Sequence, residues 1–568
     1  MVAHPIKSIT IAASIIMIGM LISPLRAYAE DEFIGDISGL TIEVNGDSDT
    51  TVYIEPSVTE GREILYLPSS VNLHSITFVY DEGQLYVSTP GESDTPVNPK
   101  RILESGKKKN IFPHLSEDIG DGSRILPLTY IDSSGLSHTG ELYVMKSSRI
   151  PTIYIISSDK EHGRGYIESS KENKASGNIT MITANGDTIY NGGLGSIKCR
   201  GNNTFMADKK PYQIKLEKSA NLLGTDNEDD SDKTWLLLAN ARDASLVRNS
   251  IAMYVASAMG LYTPEYRPVD LFYDGEYHGN YLLCEKIEIG KGRLDIYELE
   301  KKNVKANKGV KIKGLPVKQG KNKYGDNIQF VDNMKDPKDI TKGYLIELDR
   351  AYYQSERSWF VLSDGTQFAI KYPENCSQAE VEYISDYMEE GLQAILNGGV
   401  NPNTGKDVWS YFDKDSMVKY YLLQEFTDNY DAYASSGYMY LNETGGPIIS
   451  GPAWDFDTSF GIGEEILPVD GLRCTSDWIP WIYRITELSD FMPAAQEYFT
   501  AEGVGILSTP HMSRYVDEIA DSQKLERIFC NRSDQSIFKQ DSYVSDLAYL
   551  RYFLVNRLKW MKMFFLTT

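Results

Sequence analysis

Three aspartates pose the chemical question. In the stretch EFTDNYDAYASSGYMYLNETGGPIISGPAWDFDTSFG, from Glu425 to Gly461, Asp431 follows an apolar-periodic run (Tyr420, Leu422, Leu423, Phe426). A strand-like SGYMYL comes next, and Asp455 and Asp457 arrive after a Gly/Pro-rich turn. One acid, a short hairpin and a pair of acids form the inventory of phosphoryl transfer: one carboxylate orients an attacking hydroxyl and another holds a divalent cation against nucleotide phosphates. Asp455 and Asp457 stand two apart, so on an extended segment both point to one face and both reach one cation. The same spacing also suits solvated turn residues or a helix cap.

The elements that must position these acids are readable as pattern. Residues 30–147 carry short β-rich runs (LTIEVNG, TVYIEP, ILYLPSS, HSITFVYD, QLYVST, GELYVMK) between Gly, Asp, Ser and Pro turns. They predict a small antiparallel, all-β, sandwich-like domain without a catalytic constellation, a spacer or docking module. Residues 150–568 are mixed. PTIYIISS reads as a strand, GYIESSKENKASGNITMITANGDTIYNGG as strands joined by turns, and GSIKCRGNNTF, KPYQIKLEK and KTWLLLAN as further strands. ASLVRNSIAMYVASAMG has helical spacing and stops at Gly260, while RPVDLFYDGEYHGNYLLCEKIE predicts a hairpin turned at Asp274-Gly275. From about Gln378 the chain reads as mainly helical. The expected fold class is α+β, a β-rich lobe followed by a helical lobe.

Residues 301–342, between these regions, hold 12 Lys against 4 Asp. They predict either a solvated, partly flexible insertion or a docking surface for an acidic protein or cell-wall phosphate. The opposite run, Asp226 to Asp232, lacks the glycine of an EF-hand loop and reads as a solvated loop.

A chain of 568 residues with 41% hydrophobic and 24% charged residues is globular in composition and long enough for several domains. Its formal net charge of −23 argues against general nucleic-acid binding. Lys7, the apolar run Ile9 to Ile22 and Ala27-Tyr28-Ala29 read as a cleavable signal peptide over residues 1–29, the run being short for a membrane span. Cleavage removes Lys7, Arg26 and no acid, moving the net charge from −23 to −25. An exported, secreted or cell-surface protein without a stable membrane span is expected. Five cysteines lack CxxC or Cys/His ligand spacing, which argues against structural zinc, and seven histidines form no HExxH.

Several stretches, in order, resemble the spore coat protein H (CotH) kinase-like family: IKCRGNNTF with KKPYQIKL, WLLLANARDASLVRNSIA, DGEYHGNYLLCEKIEIG, EFTDNYDAYASSGYMY and AWDFDTSFG. They span about residues 190–465. The resemblance implies an atypical, protein-kinase-like two-lobe fold that uses ATP with Mg²⁺ or Mn²⁺ to phosphorylate hydroxyls of exported or coat proteins. By that resemblance Asp431 is the catalytic acid and Asp455 the metal-binding acid, with Asp457 either a supporting ligand or a turn stabiliser. Lys215 in YQIKL either neutralises nucleotide phosphate or lies on the solvent face like Lys218. Arg200, Gly201, Asn202 and Asn203 suit a turn over the nucleotide, although this is neither GxGxxG nor a P-loop. Glu285 either pairs with Lys215, serves nucleotide or metal, or is structural. Arg248 and Asn249 either brace the site or are structurally paired. Ser436 departs from the family's usual Asn five residues after the catalytic Asp, which weakens the expected second metal ligand. Two other readings stay open: a catalytically silent surface or coat scaffold, and a glycoside hydrolase using two of the carboxylates.

Overall fold

Period-two burial marks one strand of the central barrel. In the strand Tyr212–Ala220, Tyr212, Ile214 and Leu216 are buried while Lys215 and Glu217 are exposed, so one face is committed to an interior. The computed structural model describes residues 33–567 apart from 48–49, 60, 89–97, 121, 226, 430, 432, 463–466, 475–479 and 523–542. The expected signal segment, Asp226 and Cys530 lie outside the described residues.

Seven strands close the barrel in the order Thr152–Ser157, Ala175–Ile182, Thr188–Cys199, Tyr212–Ala220, Asp232–Leu238, Glu276–Glu285 and Tyr266–Tyr273. Parallel pairing of Thr152–Ser157 with Tyr266–Tyr273 makes the closure. The hairpin turns at Asp274 (φ 51°) and Gly275 (φ 93°), two left-handed residues of the kind a tight hairpin demands. Ile153, Ile179, Ile197, Ile214, Trp235 and Leu283 belong to the packed interior.

A second, seven-stranded sheet runs Val317–Lys321, Asn327–Val331, Trp359–Val361, Gln367–Tyr372, Tyr344–Leu348, Gly437–Leu441 and Ile449–Ser450. Its apolar face shares one core with the helices Arg248–Ala258, Gln378–Leu396, Lys414–Thr427 and Tyr543–Thr567. A smaller cluster joins the barrel's outer face to this core: Leu236, Leu282 and Cys284 meet Leu345, Tyr438 and Trp454. The fold is mixed α+β.

Local expectations are corrected at three places. The lysine-rich segment is folded, not a loose insertion: Ile328, Phe330 and Val331 are buried, and the hairpin they anchor forms one edge of the second sheet. Lysine on that edge strand discourages further strand pairing. GYIES forms the helix Arg164–Ser169, with Ile167 as its buried anchor, rather than a strand. In the N-terminal region a four-stranded and a five-stranded sheet share an apolar core, but Arg62–Leu67 runs parallel to Ser137–Lys146, so the pairing is mixed. That core continues into the barrel, where Tyr66 stacks on Tyr277 with ring centroids 4.5 Å apart.

Candidate active site

The helix Lys414–Thr427 aims the chain at the acids. Asp413 caps its start by accepting from the Ser416 amide at 2.8 Å, and Asp428 ends it in the left-handed region at φ 46°. Asp431 follows in a turn: its carbonyl accepts from the amides of Ala434 (3.1 Å) and Ser435 (3.2 Å), and its own amide donates to Asn429 Oδ1 at 3.2 Å.

Two hydroxyls tie the acid-bearing segments together. Thr458 Oγ1 donates to Asp431 Oδ2 at 3.2 Å, and Ser436 Oγ donates to Asp455 Oδ2 at 3.0 Å. Asn429 Nδ2 also reaches the Asp455 carbonyl at 3.4 Å. The expected extended spacing of Asp455 and Asp457 is corrected here: Asp455 has φ 67°, so the chain turns at this residue and the period-two argument does not apply. Asp455 is exposed, whereas Asp431 and Asp457 are partly buried.

The carboxylates feel one another. Burial, then the Asp455 charge, raises the proton affinity of Asp431, against the Thr458 hydrogen bond and the charges of Arg242 and Arg473. Burial, then Asp455, raises that of Asp457 strongly, with Arg242 opposing. Arg242 therefore acts on both acids.

Five non-glycine residues in this stretch adopt positive φ: Asp428, Tyr433, Ser436, Asp455 and Phe460. Such conformations cost on the order of 1 kcal/mol or more each and persist where surrounding contacts over-determine them. The braces are visible. Asn249 Oδ1 accepts from the Phe456 amide at 2.8 Å, and Arg248 Nε donates to the Ser459 carbonyl at 3.0 Å. Arg248 is fully buried and paired with Asp243 and Asp546. Arg557 Nε donates to the Glu425 carbonyl at 2.8 Å, while the Glu425 carboxylate accepts from the amides of Arg473 (2.6 Å) and Cys474 (2.8 Å).

Other sequence candidates divide. The Arg200 guanidinium lies 5.9 Å from the centroid of the Trp454 ring, next to Asp455 in the chain. Asn203 Oδ1 accepts from the Tyr352 hydroxyl at 3.0 Å, and the Arg350 amide donates to the Ala434 carbonyl at 3.0 Å. The RGNN turn is thereby linked to the turn that carries Asp431. Lys215 sits exposed on the barrel's outer face opposite Ser196 and Thr234, without an ion pair among the described residues. Glu285 does not pair with it. It is buried against Arg293, accepts from the Glu265 amide at 3.0 Å, and is raised to about 7 by burial, with Arg293 opposing.

Sequence reasoning missed Arg242, which carries no local signal because it lies in an irregular loop.

Among the described residues no three His, Cys, Asp or Glu side chains form a group that could hold a metal alone. Asp455 and Asp457 nevertheless suit an Mg²⁺-type ion, which binds through one or two carboxylates and fills its shell with phosphate and water. Their mutual repulsion is what such a cation would relieve.

A barrel joined to a sheet-and-helix core, with three acids on the turns that follow the helix Lys414–Thr427, defines a mixed α+β protein. The family model described as CotH kinase protein matches residues 197–561, more than half of the chain, and the chain belongs to that family. Comparison with curated proteins yields no match. Membership supports a CotH-like kinase or coat-associated function. Among the described residues no helix is long and apolar enough to cross a membrane.

Proposed function

We propose that this chain is an ATP-dependent protein kinase acting on Ser/Thr hydroxyls of exported or coat proteins. The observation that carries the reading is the gathering of Asp431, Asp455 and Asp457 on two turns cross-linked by Ser436 and Thr458, in a chain of the CotH kinase protein family. In this reading the barrel and the sheet-and-helix core act as the two lobes of a kinase-like arrangement. Residues 30–147 form an accessory domain, 150–568 the kinase-like domain, and the protein is secreted through the segment 1–29.

Asp455 and Asp457 would hold Mg²⁺ or Mn²⁺, which when bound neutralises phosphate charge. Asp431 orients the acceptor hydroxyl. As its oxygen bonds to the terminal phosphorus, the bridging P–O bond breaks, its electron pair leaves with ADP, and the hydroxyl proton passes late to Asp431. Arg200 and Asn203 line the nucleotide side. Lys215 and Glu285 contribute less directly, one exposed on the outer barrel face and the other paired with Arg293.

One observation favours a silent binding scaffold instead: the Ser436 hydroxyl occupies Asp455 Oδ2. Incubating the protein, labelled ATP and Mg²⁺ or Mn²⁺ with a candidate coexported protein separates the two. The kinase reading expects label transfer that Asp455→Ala abolishes. ATP binding without transfer under either metal favours the scaffold.

Lys305, Lys308, Lys311, Lys335 and Lys338 are exposed and form no ion pair among the described residues. We propose that this surface attracts an acidic stretch of the protein substrate.

A further inference from the structure

We propose that Arg242 contacts the terminal phosphate of the nucleotide, supplying positive charge at the transfer point. The inference rests on the kinase reading above.

From Trp235 through Met253 every residue is buried except Arg242, which is partly exposed. The loop that presents it is held from both sides. Asn240 (φ 47°) donates from its side chain to the Leu246 carbonyl at 3.1 Å and accepts from Asn249 Nδ2 at 3.2 Å. Asp243, the next residue, is buried in its pairing with Arg248 and accepts from the Ser245 amide at 2.9 Å. Leu246 has φ 64°, a strained conformation for a branched side chain. Asn249 and Arg248 in turn grip the backbone at Phe456 and Ser459. The loop is therefore docked on the segment that bears Asp455 and Asp457, and its one unburied side chain is a guanidinium.

That guanidinium forms no hydrogen bond or close ion pair among the described residues, so its donors are available to a ligand. Its charge acts on Asp431, at the attacking side, and on Asp457, at the cation side. A transferring phosphoryl group must pass between those two roles. A planar guanidinium matches phosphate oxygens in pairs.

The test compares wild type, Arg242→Gln and Arg242→Lys by calorimetry with Mg·ATP and with Mg·ADP, beside phosphate transfer. Losing a charge-assisted contact to the terminal phosphate should reduce the preference for ATP over ADP by roughly 10- to 100-fold in Arg242→Gln. Arg242→Lys should restore part of that preference, since it keeps the charge and loses the paired geometry. A wild-type ATP-to-ADP ratio in the Gln variant overturns the proposal, even if its rate profile shifts with pH as mere electrostatic support of the acids would require. Wild type that binds neither nucleotide overturns the kinase reading and this proposal together. Wild type that binds ATP while the ratio is indifferent to Arg242 overturns this proposal alone.

Discussion

Arg248 and Asp546, 298 positions apart, meet as a two-pronged pair, with Nη1 2.6 Å from Oδ2 and Nη2 3.0 Å from Oδ1. Both side chains are buried, and the remaining Arg248 Nε holds the Ser459 carbonyl two residues beyond Asp457. The pair ties the helix Arg248–Ala258, the final helix and the acid-bearing turn at one point.

Removing one partner leaves a buried charge uncompensated. Asp546→Ala should lower unfolding free energy by about 3–5 kcal/mol, the scale for breaking a buried ion pair. Arg248→Met with Asp546→Leu should cost less than the sum of the single changes. Urea unfolding of wild type, Arg248→Met, Asp546→Leu and the double variant, beside Asp546→Ala, checks this; additive losses in the cycle would show that the pair is not coupled.

Asp431→Asn keeps the side chain's size and removes its basicity. Mg·ATP affinity should stay near wild type while phosphate transfer falls roughly 10²-fold or more, the scale for losing an acid–base group. Calorimetry and product yield on the same preparations decide the matter. Transfer at the wild-type rate would remove Asp431 from the chemistry.

Glu380 sits at the third position of the helix Gln378–Leu396 in a capping box with Ser377. Its Oε2 accepts from the Ser377 amide (2.8 Å) and Asn303 Nδ2 (3.1 Å), while Oε1 is buried without a partner among the described residues. Burial raises it to about 7, partly offset by the Ser377 and Asn303 hydrogen bonds, with Asp336 adding to the rise. Between the ordinary Glu range and about 7 the folded chain holds a proton that the unfolded chain has released, so stability falls as pH rises through that window. Glu380→Gln preserves the capping geometry and removes the titration. The variant should gain about 1–3 kcal/mol on wild type between pH 5 and pH 8, from the value of roughly 1.4 kcal/mol per pKa unit. Parallel urea curves at both pH values test it; an unchanged gap would mean that Glu380 stays ionised.

Reversing the exposed lysines Lys305, Lys308 and Lys311 to glutamate should weaken capture of an acidic peptide, most at low salt where screening is least. Binding that is indifferent to both charge and salt would leave the segment as a sheet edge alone.

Much of the fold was legible because burial imposes period. The strand Tyr212–Ala220, the helix Arg248–Ala258 and the Asp274-Gly275 turn all carry a local signature. The lysine-rich hairpin was obscured by composition: its few apolar residues, Ile328, Phe330 and Val331, decide the structure, while its many lysines only coat the edge. At the site, the aspartates could be named from spacing and resemblance. The turn at Asp455, the pairing of Glu285 with Arg293 and the position of Arg242 depend on long-range backbone contacts, which no local pattern encodes.

The separation between Arg248 and Asp546 also bears on the order of assembly. Most barrel pairings join near neighbours in the chain, whereas the brace on Glu425 and the Asp546 that pairs with Arg248 come from the helix Tyr543–Thr567. Loop-closure entropy delays contacts of such span, so they form after local ones have condensed. In refolding, burial of the barrel's Trp235 should precede recovery of nucleotide affinity; simultaneous recovery would argue against this order. A chain growing from its first residue would hold a closed barrel long before its acids were shaped, and competence would arrive as the final turn of construction.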